Sequence, residues 1–181
     1  MNTATKNLED DHVHILKLID VMEHITHLES PEISHIEIIV DLIRNFADGL
    51  HHAKEENIFF PLLGERGFSP TQGPVAVMLH EHVEGRNYVK GIADNIKLYK
   101  EGNNAALREV FRNMTGYAEL LRNHISKENN ILFKMADNAL SESDQRNLLT
   151  RFAEAEKNHA RPEASPGYPQ QVKELAAFYN L

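Results

Sequence analysis

Histidine and glutamate stand four residues apart twice in this chain, inside two segments that nearly repeat each other. His51-His52-Ala53-Lys54-Glu55-Glu56-Asn57-Ile58-Phe59-Phe60 aligns with His124-Ile125-Ser126-Lys127-Glu128-Asn129-Asn130-Ile131-Leu132-Phe133, 73 positions further on. In a helix, a spacing of four puts imidazole and carboxylate on one face, one turn apart. Imidazole nitrogen and carboxylate oxygen together ligate divalent transition metals. Two such pairs, on two helices, can converge on one metal site.

The elements that must carry these pairs are helices, because helical periodicity dominates and no segment alternates like a strand. Helix A is expected over about residues 8–28, stopped by Ser30-Pro31, and helix B over 31–63, ended by Gly64 and Gly67. Helix C follows Gly73-Pro74 and reaches about residue 99; helix D runs over about 104–138. Ser141-Glu142-Ser143-Asp144 reads as the capped start of a fifth helix reaching about residue 159. Residues 161–169 hold three Pro and one Gly and are expected to be irregular, before a last short helix over 171–179. The predicted fold is all-α: an antiparallel up-down-up-down four-helix bundle formed by residues 1–140. The short C-terminal helices of residues 141–181 pack on its outside.

Periodicity sorts the candidate ligands. On helix B, Ile36, Val40, Ile43, Ala47, Ile58 and Leu62 form an apolar stripe whose gap is filled by His51 and Glu55. His52 and Glu56 continue a different row through Asp41, Asn45 and Asp48. At about 100° per residue both pairs cannot face one core, so His51 and Glu55 are placed inward and His52 and Glu56 at the flank. On helix D, Tyr117, Leu121, Ile131 and Met135 make a stripe that contains His124 and Glu128. On helix C, Val75, Met78, Val89 and Ile96 bring His82 inward, whereas His80 follows Val77, Glu84 and Asn87. Helix A leaves two choices, since His12 lies with Leu8, Ile15, Ile19 and Met22 but His14 lies with Leu18, Val21 and Ile25.

Two carboxylates inside an apolar bundle cost several kcal/mol each unless something pairs with them. No Lys or Arg lies on these inner rows; Lys54 and Lys127 point elsewhere. A dication or two would offset that cost and hold the imidazoles as neutral ligands. Four His and two Glu exceed what one four-coordinate zinc site uses. They suit two metals bridged by both carboxylates, with mixed nitrogen and oxygen ligation that fits iron, then manganese or zinc. His14, His52, Glu56 and His80 are further or alternative ligands, and Tyr117 is placed to line the cavity.

Composition narrows the chemistry. The 181 residues contain no Cys and 11 His, which excludes thiolate zinc, iron–sulfur ligation by Cys and Cys nucleophiles. A net charge of -8 argues against nucleic acid and anionic membranes as partners. No apolar stretch is long enough to span a bilayer, and the first residues show neither a charged n-region nor an apolar h-region. A cytoplasmic protein is expected.

Asp11-His12-Val13-His14-Ile15, His51-x-x-x-Glu55 with Ile58-Phe59-Phe60-Pro61, and Gly73-Pro74-Val75-Ala76-Val77-Met78 leading to Glu81-His82-Val83-Glu84-Gly85-Arg86 stand in the same order as a known pattern. With His124-x-x-x-Glu128-Asn129-Asn130-Ile131-Leu132-Phe133, the chain resembles the hemerythrin-like family, the HHE cation-binding domain, over roughly residues 8–138. The H-x-x-I of that family's first helix favours His12 over His14. The resemblance implies a non-haem di-iron centre with an oxo or hydroxo bridge in a four-helix bundle, its ligands His12, His51, Glu55, His82, His124 and Glu128. Oxygen-carrying members have an H-x-x-x-H pair on the third helix; here Met78 and Arg86 stand at those spacings from His82, one imidazole fewer. Relatives implicated in repairing iron centres under nitrosative stress are similar around the third and fourth helices. The expected function is binding of a small diatomic ligand, oxygen or nitric oxide, for sensing, scavenging or stress protection. The alternatives are a redox enzyme consuming peroxide or nitric oxide, and an iron donor or store.

Overall fold

A computed structural model describes residues 3–160 and 166–181. Six helices account for nearly all of them: α1 (Ala4–Ile25), α2 (33–65), α3 (Gly73–Lys100), α4 (106–139), α5 (Glu142–His159) and α6 (Tyr168–Phe178). Among the described residues there is no strand. Part of the irregular segment expected at 161–169 lies outside the described residues.

Local chemistry explains the helix ends. The Thr3 hydroxyl accepts from the Lys6 N–H and opens α1, and Pro74 occupies the first turn of α3, where a missing N–H costs nothing. The capped start expected at Ser141 is a full capping box, in which Ser141 and Asp144 each accept from the other's backbone N–H.

Contacts run in opposite directions along neighbouring helices, which makes the bundle antiparallel. From α3 to α4, Glu81 meets Lys127, Tyr88 packs over Gly116, and Gly91 faces Asn113. A Cβ at Gly91 would lie 2.3 Å from the Asn113 side chain and one at Gly116 2.5 Å from Tyr88, so both glycines allow the two helices to approach closely. From α1 to α4, Thr5 bonds Asp137, His12 bonds Asn129 and Arg122 bonds Asp20. From α2 to α3, Glu56 meets His82, Asp48 meets Arg86 and Glu37 meets Lys100.

Two of the four long helices are not regular. Helix α2 is π-helical over Ile43–His52 and Glu55–Phe59, and α4 over Glu128–Leu132. The Phe60 N–H donates to the Glu55 carbonyl and the Phe133 N–H to the Glu128 carbonyl, each five residues back. Such turns take one more residue than an α-turn and concentrate at functional sites. They correct the expected stripe on α4. Tyr117 and Leu121 are buried, but Ile131 and Met135 are 52% and 42% exposed, and Leu132 and Ala136 take the inward positions. The inserted residue shifts the inward face by one.

The core is divided in two. One apolar cluster includes Ile15, Ile19, Phe46, Val89, Met114 and Leu121; the other includes Leu8, Phe59, Met78, Leu132 and Phe133. Buried His and Glu residues lie between them. Leu148 and Phe152 of α5 enter the second cluster, and Tyr168, Val172 and Leu175 of α6 enter the first. Among the described residues, no helix is long and apolar enough to cross a membrane.

Candidate metal centre

Seven buried side chains converge between the two clusters: His12, His51, His52, His82, His124, Glu55 and Glu128. They form two groups that share Glu55. His12, His51, Glu55 and Glu128 each offer a ligand atom within 4.8 Å of the others, and so do His52, Glu55, His82 and His124. Glu55 directs Oε1 toward His51 Nε2 at 3.7 Å and Oε2 toward His82 Nε2 at 3.4 Å. Glu128 Oε2 lies 3.2 Å from His12 Nε2 and 3.3 Å from His124 Nε2. Each carboxylate therefore spans the two halves of the site.

The outer nitrogen of every one of these imidazoles has an acceptor. Nδ1–H of His12 donates to Asn129 at 2.7 Å, of His51 to Asp11 at 3.2 Å, and of His52 to Asp48 at 3.3 Å. His82 donates to Glu56 at 2.7 Å and His124 to Glu81 at 3.0 Å. Cations hold the acceptors in turn: Lys54 bonds Asp11, Lys127 bonds Glu81, and Arg86 bonds both Asp48 and Glu56. This outer ring fixes ring orientation and leaves each Nε2 as a lone pair aimed inward.

The inner face lacks compensation from the protein. His12 Nε2 and His51 Nε2 stand 3.0 Å apart, and His82 Nε2 and His124 Nε2 3.2 Å apart. With their protons on Nδ1, these pairs oppose lone pair to lone pair. No oxygen of Glu55 or Glu128 accepts a hydrogen bond. Unpaired carboxylates and converging lone pairs in a dry interior are the donor set of a bound cation, and the residues fit a metal.

Electrostatics agree. Burial, followed by the charge of neighbouring imidazoles, holds His51 and His52 well below the ordinary imidazole value, so both rings are neutral at pH 7. Burial and the Glu128 charge push Glu55 far above the usual carboxylate range. Burial acts in the same sense on Glu128, but His124 and His12 outweigh it and keep Glu128 ionised. Burial would lower His12, yet its Glu128 partner raises it above its ordinary value. A cation bound there would displace the proton that burial and the Glu128 charge favour on Glu55.

The six residues chosen from sequence, His12, His51, Glu55, His82, His124 and Glu128, all meet here. The flank position expected for His52 is corrected: it is 5% exposed and belongs to the group around His82 and His124. The π-helical turns of α2 narrow the angle between successive residues, so adjacent imidazoles enter one layer. His52 also stands three residues before Glu55, and that spacing alone marks a shared helix face. The imidazole missing from the third helix is thus matched by a fifth one on the second. Glu56 is not inward; it accepts from His82 and Arg86. His80 is 73% exposed beside Glu84, and His14 is half-buried outside both groups. Tyr117 lines a cavity that also touches His52 and His82. Lys54 does point away from the site, but it is fully buried and paired with Asp11 and Glu156.

The chain is similar to several curated proteins named iron-sulfur cluster repair protein YtfE. It is 31% identical to that of Edwardsiella ictaluri over 100 residues, covering 54% of this chain and 44% of that protein. It is 32% identical over 88 residues to those of Pectobacterium atrosepticum and Escherichia coli O157:H7, covering 48% of this chain and 40% of each. The chain thus matches less than half the length of these relatives. No solved structure matches. The hemerythrin HHE cation binding domain matches residues 3–136, and the chain belongs to that family.

Proposed function

We propose that this chain holds two iron ions and uses them to bind a small diatomic ligand, oxygen or nitric oxide, in protection against oxidative or nitrosative stress. The observation that carries this reading is the pair of four-residue groups sharing Glu55, with buried carboxylate oxygens that accept no hydrogen bond. His52, His82 and His124 would hold one ion and His12 and His51 the other, with Glu55 and Glu128 between them. Iron held there supplies open coordination positions and one-electron redox chemistry. The residues of the chain orient the imidazoles through their Nδ1 partners and exclude bulk water with two apolar clusters. Manganese or zinc fits the same donors less specifically.

Stopped-flow mixing of the anaerobic ferrous protein with each gas tests this reading. A stoichiometric new absorption band supports it, and no spectral change with either gas contradicts it. A second reading, donation of iron to damaged clusters, is favoured by the name of the YtfE relatives. Transfer of iron to an apo iron–sulfur protein, faster than release to a chelator, would select donation over ligand binding.

A further inference from the structure

A cavity of about 160 Å³ opens beside the three-imidazole group. His52 and His82 form its inner end, and Ile43 and Val89 give it an apolar wall. Arg86 and Lys90 lie at its rim, but Arg86 is committed to Asp48 and Glu56, and Lys90 to Asp94. Tyr117 lines the same space. Its ring is buried and its hydroxyl finds no hydrogen-bond partner in the protein. A buried tyrosine hydroxyl is normally satisfied, and leaving one unpaired costs free energy that a Phe would avoid.

We propose that this cavity seats the small ligand and that the Tyr117 hydroxyl donates a hydrogen bond to the ligand's outer atom. The inference rests on the metal-centre reading above and adds the seat and the donor. The cavity's size bounds the ligand class. A cavity of this size admits guests up to about the size of benzene, so small ligands fit it with room to spare. The occupant is a small molecule or monoanion whose far end accepts a hydrogen bond. Tyr117 is a positioning residue for the ligand and holds no metal; His52 and His82 hold the near end of the site.

The test compares wild-type protein with Tyr117→Phe, both loaded with iron, oxidised and titrated with azide. In Tyr117→Phe the azide dissociation constant is expected to rise about three- to tenfold, the equivalent of one hydrogen bond. The azide vibration of the wild-type complex is expected to shift in deuterated solvent, and this shift to disappear in Tyr117→Phe. Metal-free Tyr117→Phe is expected to melt no lower than wild type, because the hydroxyl bonds nothing in the protein; a clearly lower melt would overturn the proposal. Val89→Phe, which fills the cavity, is expected to slow azide binding at least about tenfold at unchanged iron content. Unchanged azide affinity in Tyr117→Phe at full iron content overturns this inference alone. Failure of the wild-type protein to take up iron overturns the metal-centre reading and this inference with it.

Discussion

His51 and His52 are adjacent in the chain, yet their imidazoles serve different halves of one polar layer. His51 faces His12 across 3.0 Å, whereas His52 stacks on His82 with ring centroids 3.9 Å apart. A regular α-helix would turn one of them away. The π-helical segment Ile43–His52 brings in both, and Glu55, three and four residues later, reaches each group.

His52→Ala is therefore expected to lower iron content as much as His51→Ala, to about half that of wild type, because each removes an imidazole from one of the two groups. Iron measured per chain after identical loading checks this. Full iron in His52→Ala would show that the fifth imidazole is not a ligand.

The outer acceptors have a measurable role. Glu81 accepts from His124 Nδ1 and from Lys127. Glu81→Gln is expected to weaken metal binding about 10- to 100-fold with helix content unchanged. Competition with a chromogenic chelator gives the affinity, and circular dichroism gives the fold.

Gly49 reverses an ordinary rule. Replacing a mid-helix glycine by alanine usually stabilises by up to about 1 kcal/mol. Here an added Cβ would lie 2.8 Å from the Arg44 carbonyl oxygen and 3.1 Å from the His159 ring. His159 also donates from Nε2 to the Asn45 carbonyl at 2.7 Å, tying the end of α5 to the π-helical stretch. Gly49→Ala is expected to destabilise by about 1–3 kcal/mol, as overpacking does. Urea denaturation checks the sign, and a gain in stability would remove the steric argument for this segment.

Acid acts on the metal-free protein through the buried imidazoles of α2. Burial holds His51 and His52 well below the ordinary imidazole pKa, so the unfolded chain takes up protons that the folded chain refuses. Their contribution to stability is complete above about pH 6.5 and drains away as pH falls below it. Glu55, raised in the fold, opposes this in both proteins, so the check is a comparison: between about pH 8 and 5 the melting temperature of metal-free wild type should lose more than that of His52→Leu. An equal slope in the two proteins would contradict the assignment.

Where the helices are regular, their inward faces could be read from the sequence. On α3, Val75, Met78, His82, Val89 and Ile96 are all buried while His80 and Val77 are exposed, as a period of 3.6 requires. On α1 the choice between His12 and His14 came from the family pattern, and burial agrees with it. On α4 the stripe holds only up to the π turn, whereas on α2 every residue of the stripe from Ile36 to Leu62 is buried and only the flank position of His52 differs. Periodicity placed Ile131 and Met135 inside and His52 outside because it carried one angle per residue across turns that change it. Most of the outer ring was illegible for another reason: Asp48 stands four residues before His52 on one helix face, but Asp11, Glu56 and Glu81 meet imidazoles on other helices, and only the packed bundle shows which of these stands behind which ring.

Iron content is the most direct test of the whole account. Protein loaded and desalted anaerobically should carry two irons per chain, falling to less than one when Glu55 and Glu128 are both changed to Gln. Full-length folded protein that retains no iron, or that retains it equally well without those carboxylates, would contradict the central claim.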